Sequence, residues 1–77
     1  MKDIQWNAIM LREFRYLACL SDEEYSVAYD WAHSKSITET AMNRNMDNSK
    51  VKDIRKTLRQ KYDEVEKYSP LLPKRAT

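Results

Sequence analysis

The sequence predicts an all-α fold, a small helical bundle of four helices that ends in a short tail flanked by two prolines. The 77-residue chain has no glycine and only two prolines, both near the C-terminus, which disfavours the tight turns of a hairpin sheet. Apolar residues recur at helical spacing along most of the chain. Ser, Asp and Asn precede the periodic segments, as expected of helix N-caps.

A chain of this length forms one domain over residues 1–77. We divide it into an N-terminal helix (1–19), a central core (20–62) and a helix extension with a tail (63–77). Such a small domain buries only roughly 60–65% of its unfolded surface. We therefore expect marginal stability, or support from a partner or a second copy.

The first helix is predicted over residues 3–19. Its apolar residues cover a wide arc: Trp6, Ile9, Met10, Phe14, Leu17 and Ala18. One neighbouring helix cannot cover an arc of this width. Either this helix lies centrally in the bundle, or part of it contacts another chain. The single cysteine, Cys19, is expected to be a reduced core residue of an intracellular protein.

The second helix is predicted to begin after Ser21, which forms a capping box with Glu24, and to end near residues 33–34. His33 then lies in the last turn, where a partial positive charge on its ring is stabilised by the helix dipole. We favour this role over a metal-binding or catalytic one. The aromatic residues around this helix are expected to form the core or its rim rather than a single-strand stacking platform: Tyr16, Tyr25, Tyr29 and Trp31.

The third helix is short. Ser36 is its predicted N-cap, Glu39 completes a second capping box, and the helix runs over 37–44. Asn45 is expected to take the left-handed backbone conformation that ends it, because no glycine is available. Met46 then packs into the turn.

The fourth helix is predicted to run from Asn48 to Tyr68, roughly 31 Å at 1.5 Å per residue. Its apolar stripe consists of Val51, Ile54, Leu58, Tyr62, Val65 and Tyr68. Positions 50–61 carry six Lys or Arg against one Asp, whereas 63–66 are mainly acidic. Beyond Ser69 and Pro70, the two leucines of the tail either fold back onto the bundle or dock a partner: Leu71 and Leu72.

Charge and composition narrow the function classes. Residues 1–34 have three Lys/Arg against six Asp/Glu, a net −3, and residues 35–77 have eleven against six, a net +5. The second half thus suits a negatively charged partner. Without glycine there is no phosphate-binding loop, and no His/Cys/Asp/Glu group has metal spacing. We predict no enzyme, no cofactor and no metal. With no signal peptide or membrane span evident, we expect a cytoplasmic protein.

The central segment resembles the helix-turn-helix of LuxR-type proteins and of sigma-factor region 4. The residues that carry the resemblance are Leu20-Ser21-x-x-Glu24-x-x-Val27, Ala32-x-Ser34-x-Ser36-x-x-Glu39-x-Ala41 and Met46-Asp47-x-x-x-Val51-Lys52. The pattern needs no gap from Leu20 to about Tyr62. It departs from the family at four positions. Ser34 stands where the family usually has glycine and Thr40 where it has isoleucine. Arg44 stands where it often has an apolar residue and Lys50 where it has threonine.

The resemblance implies that the fourth helix is the recognition helix, with base edges facing Asn48, Ser49, Lys52, Asp53 and Lys56. The family commonly breaks after this helix, whereas the apolar stripe of this sequence predicts a longer one. Lysine can donate to guanine, asparagine can pair with adenine and aspartate can accept from cytosine. Asp53 has an alternative, a helical pair with Lys50 or Lys56. Residues expected at phosphates are Lys50, Arg55, Arg59 and Lys61, with Thr38 and Arg44 as further candidates. The DNA contact should end near Arg59 or Gln60.

The leading functional hypothesis is a sequence-specific regulator that binds double-stranded DNA, with a size similar to small regulators of phages and mobile elements. The alternative is a protein-interaction module that docks on RNA polymerase or on a host protein. A homodimer is a separate hypothesis, motivated by the small size, the wide apolar arc of the first helix and the long apolar stripe of the fourth.

Overall fold

The computed structural model describes residues 5–74. Within them the chain forms four α-helices, which are α1 (Ala8–Ala18), α2 (Asp22–Ala32), α3 (Ile37–Arg44) and α4 (Asn48–Val65). A 3₁₀ helix over Glu66–Tyr68 leads into the tail, and this part of the chain contains no strand. The helices pack into a body of 33 × 22 × 21 Å. The all-α class and the four-helix count are confirmed.

The central helix is α4, which packs against all three other helices. Val51, Leu58 and Tyr62 on its inner face have no exposed surface. The Tyr62 ring meets Phe14 edge to face at 5.4 Å and Trp6 at 5.6 Å between ring centroids, geometries that aromatic rings favour. The core therefore surrounds α4, and α1 covers its second half.

The capping boxes at the starts of α2 and α3 are both confirmed. The Ser21 hydroxyl accepts from the Glu24 N–H at 3.1 Å, and the Glu24 carboxylate accepts from the Ser21 N–H at 3.0 Å. Ser36 and Glu39 repeat this arrangement at the same two distances. Each box satisfies two backbone donors that a helix start leaves unpaired, so both helices begin where the sequence predicts.

The first helix begins later than predicted. Residues 5–7 are not helical, and residues 3–4 lie outside the described part of the chain. The Asn7 side chain accepts from the Met10 N–H at 2.9 Å, and Asn7 itself has an extended backbone. An asparagine in this geometry is an N-cap, so it sets the helix start at Ala8.

Three residues take left-handed backbone conformations: Cys19 at φ 51°, Ser34 at φ 62° and Asn45 at φ 60°. The prediction for Asn45 is confirmed. For residues with a Cβ this conformation costs roughly 1–2 kcal/mol, with asparagine tolerating it better than most. In a chain without glycine these residues provide the reversals that end α1, α2 and α3.

The apolar arc of α1 is only partly covered. Met10, Leu11 and Phe14 are buried, but Ile9 is 57% exposed and Tyr16 is 78% exposed. The expectation that Tyr16 belongs to the core or its rim is wrong. So is the core assignment of Cys19, which is exposed because the chain reverses there and Leu20 takes the buried position instead.

The last helix ends at Val65 rather than at Tyr68. A tighter 3₁₀ turn follows, and because it has three residues per turn it rotates Tyr68 away from the inner face of α4. Tyr68 is 71% exposed. The apolar stripe of this helix thus ends three residues earlier than predicted.

The tail folds back onto the bundle through Leu72, which is buried, while Leu71 stays 48% exposed. Two hydrogen bonds fix it. The Tyr62 hydroxyl donates to the carbonyl of Pro73, and the Ser69 hydroxyl donates to Glu13 of α1 at 2.8 Å. Of the two alternatives for the tail, folding back onto the bundle is confirmed for Leu72.

Candidate nucleic-acid interface

The side of α4 that faces away from the bundle is formed by Ser49, Lys52, Asp53 and Lys56, which we call the outer face of α4. All four residues are exposed, and so is Asn48 beside them. They lie opposite the fully buried Val51, Leu58 and Tyr62 in the helical repeat. The helix is therefore anchored on one side and presents polar side chains on the other.

Lys52 and Lys56 lie one helical turn apart on the outer face. Among residues 5–74, neither forms an ion pair or a hydrogen bond with another side chain. Asp53 likewise makes no ion pair there, so the predicted alternative of a helical pair with Lys50 or Lys56 is not present in the described part of the chain. These three side chains are available to a partner.

Lys50 points elsewhere. Its Nζ lies 3.0 Å from the Glu23 carboxylate in the first turn of α2, with 53% of the lysine side chain exposed. It therefore flanks the outer face on the α2 side. An exposed pair of this kind contributes on the order of 0–1 kcal/mol, so a phosphate can compete for the lysine.

Arg55 and Arg59 share one platform, the indole of Trp31 on α2. Their guanidinium carbons lie 4.5 and 5.5 Å from the ring centroid. Arg55 also donates to the carbonyl of Lys35 at 2.8 Å, which ties it to the turn between α2 and α3. Burial lowers the pKa of Arg55 below its usual value, and the charge of Arg59 lowers it further. Of the pair, Arg59 is the one placed farther from the ring.

A shallow depression lies between this stack and the outer face. Its walls are four cations, one carboxylate and one apolar residue at the start of α3: Lys52, Arg55, Lys56, Arg59, Asp53 and Ile37. Four positive charges around an open concave surface create a local positive potential, which attracts a polyanion.

Two other residues predicted to contact phosphate, Arg44 and Lys61, bind carboxylates of α2. Arg44 binds the buried Asp30 through both arms of its guanidinium, at 3.1 and 2.8 Å, and this bonding raises the pKa of Arg44. The pair ties α3 to α2, and the assignment of Arg44 to phosphate stays a prediction. Thr38 is exposed and stays a candidate.

Lys61 binds both oxygens of the Glu24 carboxylate, at 3.0 and 2.8 Å. Burial of Glu24 acts to raise the pKa of its carboxyl, but hydrogen bonds from Lys61 and Ser21, together with the charge of Lys61, outweigh it and lower the pKa. This lysine is held against α2. The unpaired basic surface of α4 thus ends before Lys61, and the contact of Lys61 with phosphate stays a prediction.

Sequence reasoning missed the role of Trp31 beneath the two arginines. A signal was present: Arg55 and Arg59 are four residues apart, a spacing that places both side chains on one ridge of a helix. The sequence does not show how α2 packs against α4, and it is this packing that places the Trp31 indole under the two arginines.

No family model matches this chain, and no match was found among curated proteins or among solved structures. Within residues 5–74, no three His, Cys, Asp or Glu side chains lie close enough to hold a metal ion. None of the helices described is both long and apolar enough to cross a membrane.

Proposed function

We propose that the protein binds double-stranded DNA in a sequence-dependent manner, with the outer face of α4 in the major groove. One observation carries the proposal. Lys52 and Lys56 are exposed, one turn apart and without ion-pair partners in the described chain, on a helix whose opposite side is fully buried. A polar helix face held rigidly from behind is what direct reading of base edges requires.

The backbone between the helices supports a helix-turn-helix arrangement of α3 and α4. Asn45 is left-handed at the turn, and Ala41, a small residue, is buried four residues before it. Ser34 is also left-handed, at a position where the family that the sequence resembles usually has glycine. A glycine preference is the signature of this backbone conformation, so the departure at Ser34 leaves the local geometry intact.

The proposed division of labour follows from the geometry of each cation. Lys52 and Lys56 donate to guanine O6 or N7, Ser49 and Asn48 add hydrogen bonds to neighbouring bases, and Asp53 accepts from cytosine N4. Around the depression Arg59 meets the phosphate backbone, where it contributes to affinity without reading sequence. Arg55, stacked and hydrogen-bonded, positions this edge of the surface.

The test begins with a selection from random duplexes to obtain the preferred site. On that site, Lys52→Ala and Lys56→Ala should each cost about 1–3 kcal/mol of binding free energy and relax specificity at one base pair. Lys67→Ala is the matched control, because it removes one exposed cation from the 3₁₀ helix, outside the proposed contact. It should change affinity by less than about 0.5 kcal/mol.

The proposal fails if the parent protein shows no salt-dependent binding to any duplex. It also fails if both lysine variants bind the selected site as tightly as the parent. Circular dichroism of each variant separates these outcomes from unfolding, since neither lysine contributes to the core.

A protein-interaction module is the second candidate. The observation that favours it is the set of large apolar side chains exposed on α1 and at the C-terminal end: Ile9, Tyr16, Tyr68 and Leu71. Such surfaces often contact another protein, whether RNA polymerase, a host protein or a second copy of this chain. Stable capture of purified RNA polymerase by the Lys52→Glu/Lys56→Glu double variant would favour this candidate over DNA binding.

A further inference from the structure

A second concave site lies away from α4, in a cleft between the beginning of α1 and the C-terminal half of α2. Its volume is about 360 Å3. Three aromatic side chains, Trp6, Tyr25 and Tyr29, line it together with the buried Leu11. Sites for small organic molecules typically occupy about 300–1,000 Å3 and are largely apolar, so this cleft has the size for a ligand of one or two rings.

The wall contributed by α2 is a ladder of rings. Tyr25, Tyr29 and His33 follow one another at intervals of one helical turn, and the Tyr29 and His33 rings are stacked with centroids 4.2 Å apart. His33 is fixed by a hydrogen bond of 2.8 Å between its Nδ1 and the carbonyl of Tyr29. Since a carbonyl oxygen only accepts, Nδ1 carries the proton. The Tyr29 and His33 end of the ladder is thus held in place before any ligand arrives.

Trp6 provides the α1 side of the cleft, and it too is held from behind. Its indole packs on Phe14 at 5.8 Å and on Tyr62 at 5.6 Å. Aromatic faces fixed in two separate chain segments favour a flat ring between them, because ordering costs are small on the protein side.

The charge of the lining selects among flat molecules. Among residues 5–74, no carboxylate lines the cleft, and Arg12 is the residue with a permanent positive charge in its wall. Arg12 is exposed and forms no ion pair within residues 5–74, whereas its neighbour Arg15 is bound to Asp22 at 2.8 Å. An unpaired guanidinium beside aromatic walls matches a carboxylate attached to a ring, since arginine can bind both carboxylate oxygens.

From these contacts we infer that the cleft binds a small planar aromatic carboxylate, with its rings against Trp6 and Tyr29 and its carboxylate on Arg12. None of these residues belongs to the outer face of α4. The inference is therefore independent of the proposed DNA contact, and each can fail without the other.

The test is a titration of the full ¹⁵N-labelled chain with naphthalene-2-carboxylate, followed by NMR. Saturable shifts are expected at the start of α1 and along residues 25–33. Naphthalene-2-carboxamide is the matched neutral probe, with the same rings and no charge. It should bind about tenfold more weakly, the factor expected when a charge-assisted hydrogen bond is replaced by a neutral one.

Arg12→Gln should remove this difference between the two probes while leaving the carboxamide affinity and the thermal midpoint unchanged. Lys52→Gln is the control, an exposed cation elsewhere that should leave binding of both probes as in the parent. Arg12→Gln should in turn leave DNA affinity unchanged.

Three results would each overturn the inference. One is the absence of saturable shifts at millimolar naphthalene-2-carboxylate. Another is equal affinity for the carboxylate and the carboxamide. The last is a retained preference for the carboxylate in Arg12→Gln, which would mean that the charge of Arg12 does not select the ligand.

Discussion

The two halves of α4 belong to one helix with one continuous buried side, yet their outward sides differ. From Asn48 to Arg59 the outward positions hold Lys52 and Lys56, which are exposed. From position 60 onwards the outward positions hold Gln60, Asp63 and Glu64, which are exposed and carry no positive charge. On the side towards the bundle, α1 and the tail cover Tyr62, and α2 binds Lys61. Both halves contribute to the core, but only the first half carries unpaired lysines on its outward side.

This difference shows that the number of cations on a helix does not measure its capacity to bind a polyanion. Positions 50–61 carry six Lys or Arg. Lys50 and Lys61 face acidic residues of α2, and Arg55 and Arg59 are stacked on Trp31. That leaves Lys52 and Lys56 without a partner in the described chain.

The acidic first turn of α2 sets the limits of the basic surface. Glu23 pairs with Lys50 and Glu24 with Lys61, at opposite ends of the basic segment. The same residues also favour the N-terminus of α2, where negative charge is stabilising. One short acidic stretch thus starts a helix and neutralises both ends of its neighbour's basic face.

The largest effect that separates the two halves concerns stability. Tyr62→Ala should reduce the free energy of unfolding by about 3–5 kcal/mol, because it leaves a cavity beside Trp6 and Phe14. Small domains have only about 5–15 kcal/mol in total. Lys56→Ala should change it by less than about 0.5 kcal/mol. Urea denaturation of both variants measures the difference, and comparable losses would show that the outer face is structural.

The next effect is a loss of stability at alkaline pH, which arises from Tyr62 in the second half of α4. Burial, with smaller contributions from Glu66 and Asp63, raises the pKa of Tyr62 from 10.0 to about 12. Between these values the unfolded chain releases the phenol proton and the folded protein retains it. Stability is fully present below pH 10 and should fall by roughly 2–3 kcal/mol as the pH rises to about 12.

Tyr62→Phe is the matched variant for this measurement. It should lose about 1 kcal/mol at neutral pH, since the hydrogen bond to the Pro73 carbonyl disappears. Its unfolding free energy should then decline less steeply than that of the parent above pH 10. Parallel curves for the two proteins would contradict the assignment to Tyr62.

The smallest effect concerns the platform beneath the first half. Trp31→Leu keeps an apolar side chain but removes the ring under Arg55 and Arg59, an interaction of about 0.5–1 kcal/mol per cation at exposed sites. DNA affinity should fall roughly two- to fivefold. The slope of affinity against salt should stay the same, because no cation is lost. A reduced slope would mean that the arginines no longer contact the phosphates. A thermal midpoint equal to that of the parent excludes unfolding of the variant.

Features that depend on residues within about four positions were predictable from the sequence. Both capping boxes, the left-handed Asn45 and the bounds of α3 are examples, because every interaction that defines them lies within one helical turn. The start of α1, predicted at residue 3 but found at Ala8, is also set locally, by the Asn7 side chain and the N–H of Met10 three positions on.

The sequence by itself determined the helical class, most helix boundaries and which side of α4 faces outwards, because helical periodicity and capping are local. The tertiary structure decided which part of the α1 arc is covered, so that Phe14 is buried while Ile9 and Tyr16 are exposed. It also decided which charges remain available: Glu24 and Lys61 are 37 residues apart, and Asp30 and Arg44 are 14 apart. No spacing rule connects residues so distant, and only the packing of α2 against α3 and α4 brings them together.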